Sequence, residues 1–172
     1  MQPGALRHLW GPLSAVGGAA AAVALAADQL HKWWMIYVYQ IGERGKVALG
    51  PFLDLVMVWN EGISYGLFPQ GSPTGRALLI GVAVAAVVAL ALWLAKAERL
   101  IPAISMGLIA GGAMGNAIDR LLYGAVADFF SLHAFGFYWY IFNIADVVIV
   151  AGVAGLIFDL LFSGHKMVSN SP

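Results

Sequence analysis

Long apolar runs separated by short polar ones dominate the chain. Three runs hold no charged residue: Leu9 to Ala27, Ala77 to Ala95 and Leu100 to Ile118, each 19 residues long. A helix needs roughly 20 residues to cross the hydrocarbon core of a bilayer, so each run predicts a membrane span. A fourth run, Tyr140 to Phe162, is apolar apart from Asn143, Asp146 and Asp159. The pattern predicts an all-α integral membrane protein with one domain over residues 1–172. Its four transmembrane helices are expected at about 9–34, 76–95, 100–121 and 140–162.

The first run has a competing reading as a cleaved signal peptide, with Arg7 before it and the small-residue site "ALAAD" at its end. Such peptides have apolar cores of roughly 7–15 residues. This run is longer, and "DQLHKWW" continues it with a helical pattern. A retained membrane helix is the expectation.

Between the first two spans lies a polar segment, about 37–75. Here "KVALG" and "LDLVMVW" are rich in β-formers and are interrupted by Gly and Pro. Short strands and turns with one short amphipathic helix are predicted, giving a small β-containing segment outside the membrane. Trp33, Trp34, Tyr37 and Tyr39 fit an interfacial aromatic belt. So do Phe135, Phe137, Tyr138, Trp139 and Tyr140. Gly107, Gly111 and Gly115 recur every fourth residue, a spacing that lets helix backbones approach closely in lipid.

Composition supports the membrane reading. The chain is 61% hydrophobic and 10% charged, whereas soluble domains carry about a quarter charged residues. A net charge of zero gives no electrostatic case for nucleic acid. The absence of cysteine removes disulfides, thiol nucleophiles and thiolate metal sites. Charge does not orient the spans. Arg7, Lys96, Arg99 and Lys166 fall on one side, and Lys32, Arg44, Lys46, Arg76 and Arg120 on the other.

The remaining polar residues gather at one end of the predicted spans. Asn116, Asp119 and Arg120 share a helical face. Asn143 and Asp146 are three apart at the start of the fourth span, and Asp128 lies on the connection between. Asp28 and Lys32, four apart, form an ion-pair spacing at the end of the first span. Asp119 is expected to pair locally with Arg120 and Asn116. Asp128 and Asp146 have no obvious cation of their own. Two carboxylates sharing a site cannot both ionise easily, which is what acid–base work by a pair requires. Proton transport uses the same parts.

Other chemistries lack their patterns. There is no H-E-x-x-H, and His8, His31, His133 and His165 are scattered. Ser131 and His133 alternate on a predicted loop without a G-x-S-x-G context. Asp159 is read as interfacial and without a role. Neither metal nor cofactor enters the reading.

The segments "DQLHKWW", "NEGISYGLF", "GGAMGNAIDRLLYGAVADFF" and "FNIADVVI" together resemble the motifs of bacterial lipoprotein signal peptidase (signal peptidase II), in that family's order. One departure is "GISYG", where the family often has Ala and Phe before the last Gly. The resemblance implies an aspartic intramembrane protease of the bacterial inner membrane, monomeric, with both termini cytoplasmic and its site near the outer leaflet. It implies a catalytic pair at Asp128 and Asp146, and supporting roles for Asp28, Lys32, Asn60, Gly62, Asn116, Asp119, Arg120 and Asn143. The implied substrate is a prolipoprotein whose cysteine bears diacylglycerol, cut just before that cysteine. Inhibition by globomycin is also implied. The competing class is a proton-coupled transporter or channel using the same acids. No inverted repeat and only four predicted spans weigh against it.

Overall fold

A computed structural model describes residues 10–62 and 72–163. The flanking cations Arg7 and Lys166, and positions 63–71 with most of "NEGISYGLF", lie outside the described residues. Among the described residues the α-helices are α1 (Ser14–Trp33), α2 (Ile41–Arg44), α3 (Pro73–Leu94), α4 (Leu100–Leu122) and α5 (Ile144–Ser163). A π-helical turn, Trp34–Val38, extends α1. Four strands, β1 (Val47–Ala48), β2 (Leu53–Asn60), β3 (Val126–Ala134) and β4 (Phe137–Phe142), pair antiparallel in that order.

Among the described residues, three helices are long and apolar enough to cross a membrane: Pro73–Leu94, Leu100–Leu122 and Ile144–Phe162. Helix α1 has the length, but its C-terminal turns carry Asp28, His31 and Lys32.

Helix α4 is central, with α1, α3 and α5 packed around it. Its glycines make that possible. A Cβ on Gly107 would strike Gly17 O on α1, and one on Gly111 would strike Ala21 O. On the side facing α5, a Cβ on Gly112 would lie 2.6 Å from Ala145 O. Helix α5 answers with Gly152, whose Cβ would lie 2.6 Å from Ser105 O. The glycine stripe is therefore a packing device, as its spacing predicts. At the far end from the polar cluster, Arg99 and Asp159 pair at 2.6 Å, giving Asp159 a structural contact that the sequence reading did not assign.

The sheet corrects one expectation. Residues 126–142 form a β-hairpin, where the sequence reading placed a simple connection, and the last span begins at Ile144 rather than about 140. The hairpin turns at Phe135 and Gly136, both at positive φ (52° and 79°), as a tight hairpin turn requires. Aromatic β-formers on both sides of Gly136 are the strand signal. Apolarity alone made them look like the start of a span. His133 is likewise a strand residue: its Nε2 lies 3.2 Å from buried Asp54, which Lys46 also approaches at 3.1 Å.

The sheet packs against the π-helical turn and α2 through Met35, Ile41, Leu55, Ala127 and Phe129. Gly124, at φ 82°, reverses the chain after α4 and sends it directly into β3. That reversal brings Asp128 back over the end of α4.

Candidate active site

The site is assembled from four pieces: the C-terminal turns of α1, the C-terminal turns of α4, the first turn of α5, and β2 with β3. Helix α5 begins with a reciprocal cap. Asn143 Oδ1 accepts the Asp146 N–H at 3.0 Å, and Asp146 Oδ2 accepts the Asn143 N–H at 3.2 Å. This is a capping-box arrangement, with an acid at the third helical position. It fixes both side chains at the helix start.

Asn143 has a second task. Its Nδ2 donates to Asp128 Oδ1 at 2.7 Å and to Asn116 Oδ1 at 3.1 Å. Asn116 Nδ2 in turn donates to Asp146 Oδ1 at 3.0 Å. From β2, Asn60 Nδ2 donates to Asp128 Oδ2 at 3.1 Å. Strand pairing supports this contact, since Val58 lies opposite Asp128 and Asn60 opposite Val126. Gly62 enters indirectly: its N–H donates to Asn60 Oδ1 at 3.2 Å. Asp128 and Asp146 thus take their hydrogen bonds from neutral groups, and both belong to one network through Asn143. Burial above all pushes the Asp128 carboxyl up to about 6, with the Asp146 charge adding and the Asn60 and Asn143 hydrogen bonds opposing.

The other two acids share one cation. Lys32 Nζ lies 2.8 Å from Asp28 Oδ2 and 2.8 Å from Asp119 Oδ2, with all three side chains almost fully buried. It also donates to Asn116 Oδ1 at 3.2 Å. Asp28 Oδ1 accepts the Ala145 N–H at 2.9 Å, tying α1 to α5. Asp119 Oδ2 accepts the Ala127 N–H at 3.1 Å, tying α4 to β3. The expected local partner of Asp119 is therefore corrected: the cation that holds it is Lys32, 87 positions away. Arg120 instead donates from Nη1 to Asn116 O at 3.2 Å, and its charge acts on Asp119, Asp128 and Asp146. Adjacent positions on a helix point about 100° apart, so Arg120 cannot follow Asp119 into α1.

The profile of signal peptidase II matches residues 20–162, most of the chain. The chain belongs to the signal peptidase II family. Curated lipoprotein signal peptidases agree closely with it. The one from Nitrobacter hamburgensis is 50% identical over 147 residues, covering 83% of this chain and 90% of its own length. The one from Rhodopseudomonas palustris is 51% identical over 150 residues, covering 85% and 92%. A solved structure described as a bacterial membrane enzyme, studied by the in meso method, matches with a TM-score of 0.74 at 28% identity over 92% of each chain.

The side chains of Asp28, Lys32, Asn60, Asn116, Asp119, Asp128, Asn143 and Asp146 lie in one bonded cluster, Arg120 reaches it through Asn116 O, and Gly62 through Asn60. Sequence reasoning missed Gln29, whose Nε2 reaches Asp28, Asp119 and Gly115 O. It also missed Tyr140, whose hydroxyl accepts from Asn60 at 3.0 Å. Gln29 lies beside Asp28 in "DQLHK", a polar residue on an otherwise apolar helix, and that was its one signal.

Proposed function

We propose that this chain is a membrane-embedded aspartic endopeptidase that removes the signal peptide from diacylglyceryl-modified prolipoproteins, cutting just before the lipidated cysteine. Membership of the signal peptidase II family and the names of its close relatives support the activity. Asp128 and Asp146 are the catalytic pair in this reading. One observation carries it: of the four acids in the cluster, Asp28 and Asp119 are ion-paired to Lys32, while Asp128 and Asp146 share Asn143.

The mechanism follows from one shared proton. The ionised member takes a proton from a water that attacks the scissile carbonyl. The protonated member donates a hydrogen bond to that carbonyl and then its proton to the oxygen. Collapse of the tetrahedral intermediate returns a proton to the leaving nitrogen and restores the pair. General acid–base help of this kind is worth about 10²–10⁴ in rate. Asn143, Asn116 and Asn60 orient the carboxylates without cancelling their charge. Asp28, Lys32, Asp119 and Arg120 fix the helix ends and β3 around them.

In this reading α1, α3, α4 and α5 are four spans of a single membrane domain covering residues 1–172. The domain lies in the inner membrane, with both termini cytoplasmic and the acid cluster at the outer leaflet. There the substrate's lipid stays in the bilayer while water reaches the carboxylates. The protein works as a monomer and is blocked by globomycin. A proton pathway through the membrane lacks support, because the acids of the cluster gather at one end of the helices.

The test is incubation of purified protein with a lipidated and an unlipidated precursor peptide, with products mapped by mass. Cleavage of the lipidated peptide alone, immediately before its cysteine and blocked by globomycin, is the expected result. Equal cleavage of both peptides removes the lipid from the reading.

A further inference from the structure

Tyr140 stands on β4 with its ring half exposed, and its hydroxyl ends at the acid cluster. The orientation of Asn60 fixes what that hydroxyl can do. Asn60 Oδ1 accepts the Gly62 N–H, so the amide nitrogen must be the group facing Asp128 and Tyr140. That nitrogen has two hydrogens. It donates one to Asp128 Oδ2 at 3.1 Å and the other to Tyr140 Oη at 3.0 Å. Tyr140 is therefore an acceptor in its contact with Asn60, and its own proton is not used there. Among the described residues, that proton has no acceptor.

We infer that Tyr140 is a substrate-binding residue that donates this proton to a backbone carbonyl of the precursor flanking the scissile bond. The inference rests on reading Asp128 and Asp146 as the catalytic pair. The hydroxyl stands one hydrogen bond beyond Asp128, through Asn60. Asp128 Oδ2 and Tyr140 Oη accept from the same Asn60 amide nitrogen, so a precursor lying against Asp128 also passes the hydroxyl, within reach of a carbonyl flanking the scissile bond. Position 140 is close enough to the pair to select substrate geometry yet carries no charge to disturb the shared proton. It lies on β4 at the register shift between the Ser131–Ile141 and His133–Tyr138 pairs, the kind of bulge that re-aims a side chain out of the regular ladder.

The variant Tyr140→Phe separates this role from a purely structural one. A hydrogen bond to a neutral carbonyl is worth about 0.5–1.5 kcal/mol, which is roughly a 2–12-fold change. Because the bond is made equally in ground and transition states, KM rises by that factor and kcat stays within about twofold. The pH limbs of kcat/KM stay where they are. Asn60→Ala is the comparator. It removes a hydrogen bond that favours the charged form of Asp128, so its alkaline limb moves to higher pH. An unchanged KM in Tyr140→Phe, a fall in kcat instead, or a limb that moves as in Asn60→Ala overturns the inference. Full activity in Asp128→Asn instead overturns the catalytic pair on which it rests, so the two failures are distinct.

Discussion

Asn143 donates to Asp128 Oδ1 at 2.7 Å while its own backbone N–H is held by Asp146. One residue therefore sets the positions of both carboxylates, from the start of one helix. Replacing it with Ala removes the shortest bond to Asp128 and the cap of α5 together. An N-cap lost to Ala costs about 0.5–2 kcal/mol. Asn143→Ala is expected to lower turnover by at least about tenfold with only a modest loss of thermal stability in detergent. Near-normal turnover would show that the pair does not depend on this contact.

Asp128→Asn and Asp146→Asn should each abolish measurable cleavage, since each removes half of a shared-proton pair and general acid–base catalysis is worth about 10²–10⁴. Their stabilities should diverge with pH. The Asp128 carboxyl is raised to about 6 in the folded chain, above an unfolded value of roughly 3.9. The folded state thus binds that proton more tightly. Its contribution to stability is fully present below the unfolded value and is lost as pH rises through about 6. Asparagine has no such loss. Relative to wild type, Asp128→Asn should gain about 1–2 kcal/mol between pH 4 and 7, discounted for partial solvent exposure. Asp146→Asn weakens a capping box instead. A melting series across that range checks both, and a flat difference for Asp128→Asn counts against its buried, raised carboxyl.

Much of this site was legible in the chain because motifs mark local geometry. The spacing of Asn143 and Asp146 is that of a helix cap, and the Gly107–Gly111–Gly115 stripe marks a close helix contact. What could not be read was the partner across the fold. Nothing local to Asp119 says that Lys32, on another helix, holds it rather than Arg120 next door. The hairpin at 126–142 was hidden for a different reason. Its aromatic residues serve equally as strand formers and as the apolar start of a span, and only the turn at Phe135 and Gly136 separates the two.

Asp119 should behave as a structural acid. Its carboxylate holds Lys32, Gln29 and the Ala127 N–H. Removing one partner of a buried ion pair typically costs about 3–5 kcal/mol. Asp119→Asn keeps an acceptor oxygen, so a loss of about 2–4 kcal/mol and lower expression are expected, with residual turnover well above that of the Asp128 and Asp146 variants. Unchanged melting with turnover as low as theirs would make Asp119 a catalytic acid and reverse the ranking.

Activity should also respond to helix spacing with every acid in place. A Cβ at Gly112 would lie 2.6 Å from Ala145 O and 2.8 Å from Ile149, on the turn of α5 that carries Asp146. Overpacking of this kind costs about 1–3 kcal/mol when the backbone must move. Gly112→Ala should displace α5 and lower kcat by roughly tenfold or more, in line with the sensitivity of catalysis to misplacements near 1 Å. Gly81→Ala, where the added Cβ meets nothing, is the matched control and should leave the rate unchanged without lowering stability, since Ala in a helix interior is favoured over Gly by about 0.5–1 kcal/mol.

The pH profile tests the mechanism most directly. A pair that shares one proton is active only when singly protonated, so kcat/KM should be bell-shaped, and its two apparent values belong to the pair. At low pH both carboxyls are protonated and no base remains to accept the water's proton. At high pH both are ionised and nothing donates to the carbonyl. Burial and the Asp146 charge both disfavour the doubly ionised pair, so the alkaline limb lies above the ordinary carboxylate range for the free enzyme. Substrate that covers the site and excludes water should move the limb of kcat higher than that of kcat/KM, because desolvation disfavours the second charge. A non-titrating substrate analogue and parallel melting curves keep unfolding from imitating either limb. A profile that rises through one ionisation to a plateau, as a lone general base gives, would rule out the shared proton even if Asp128 and Asp146 both proved essential.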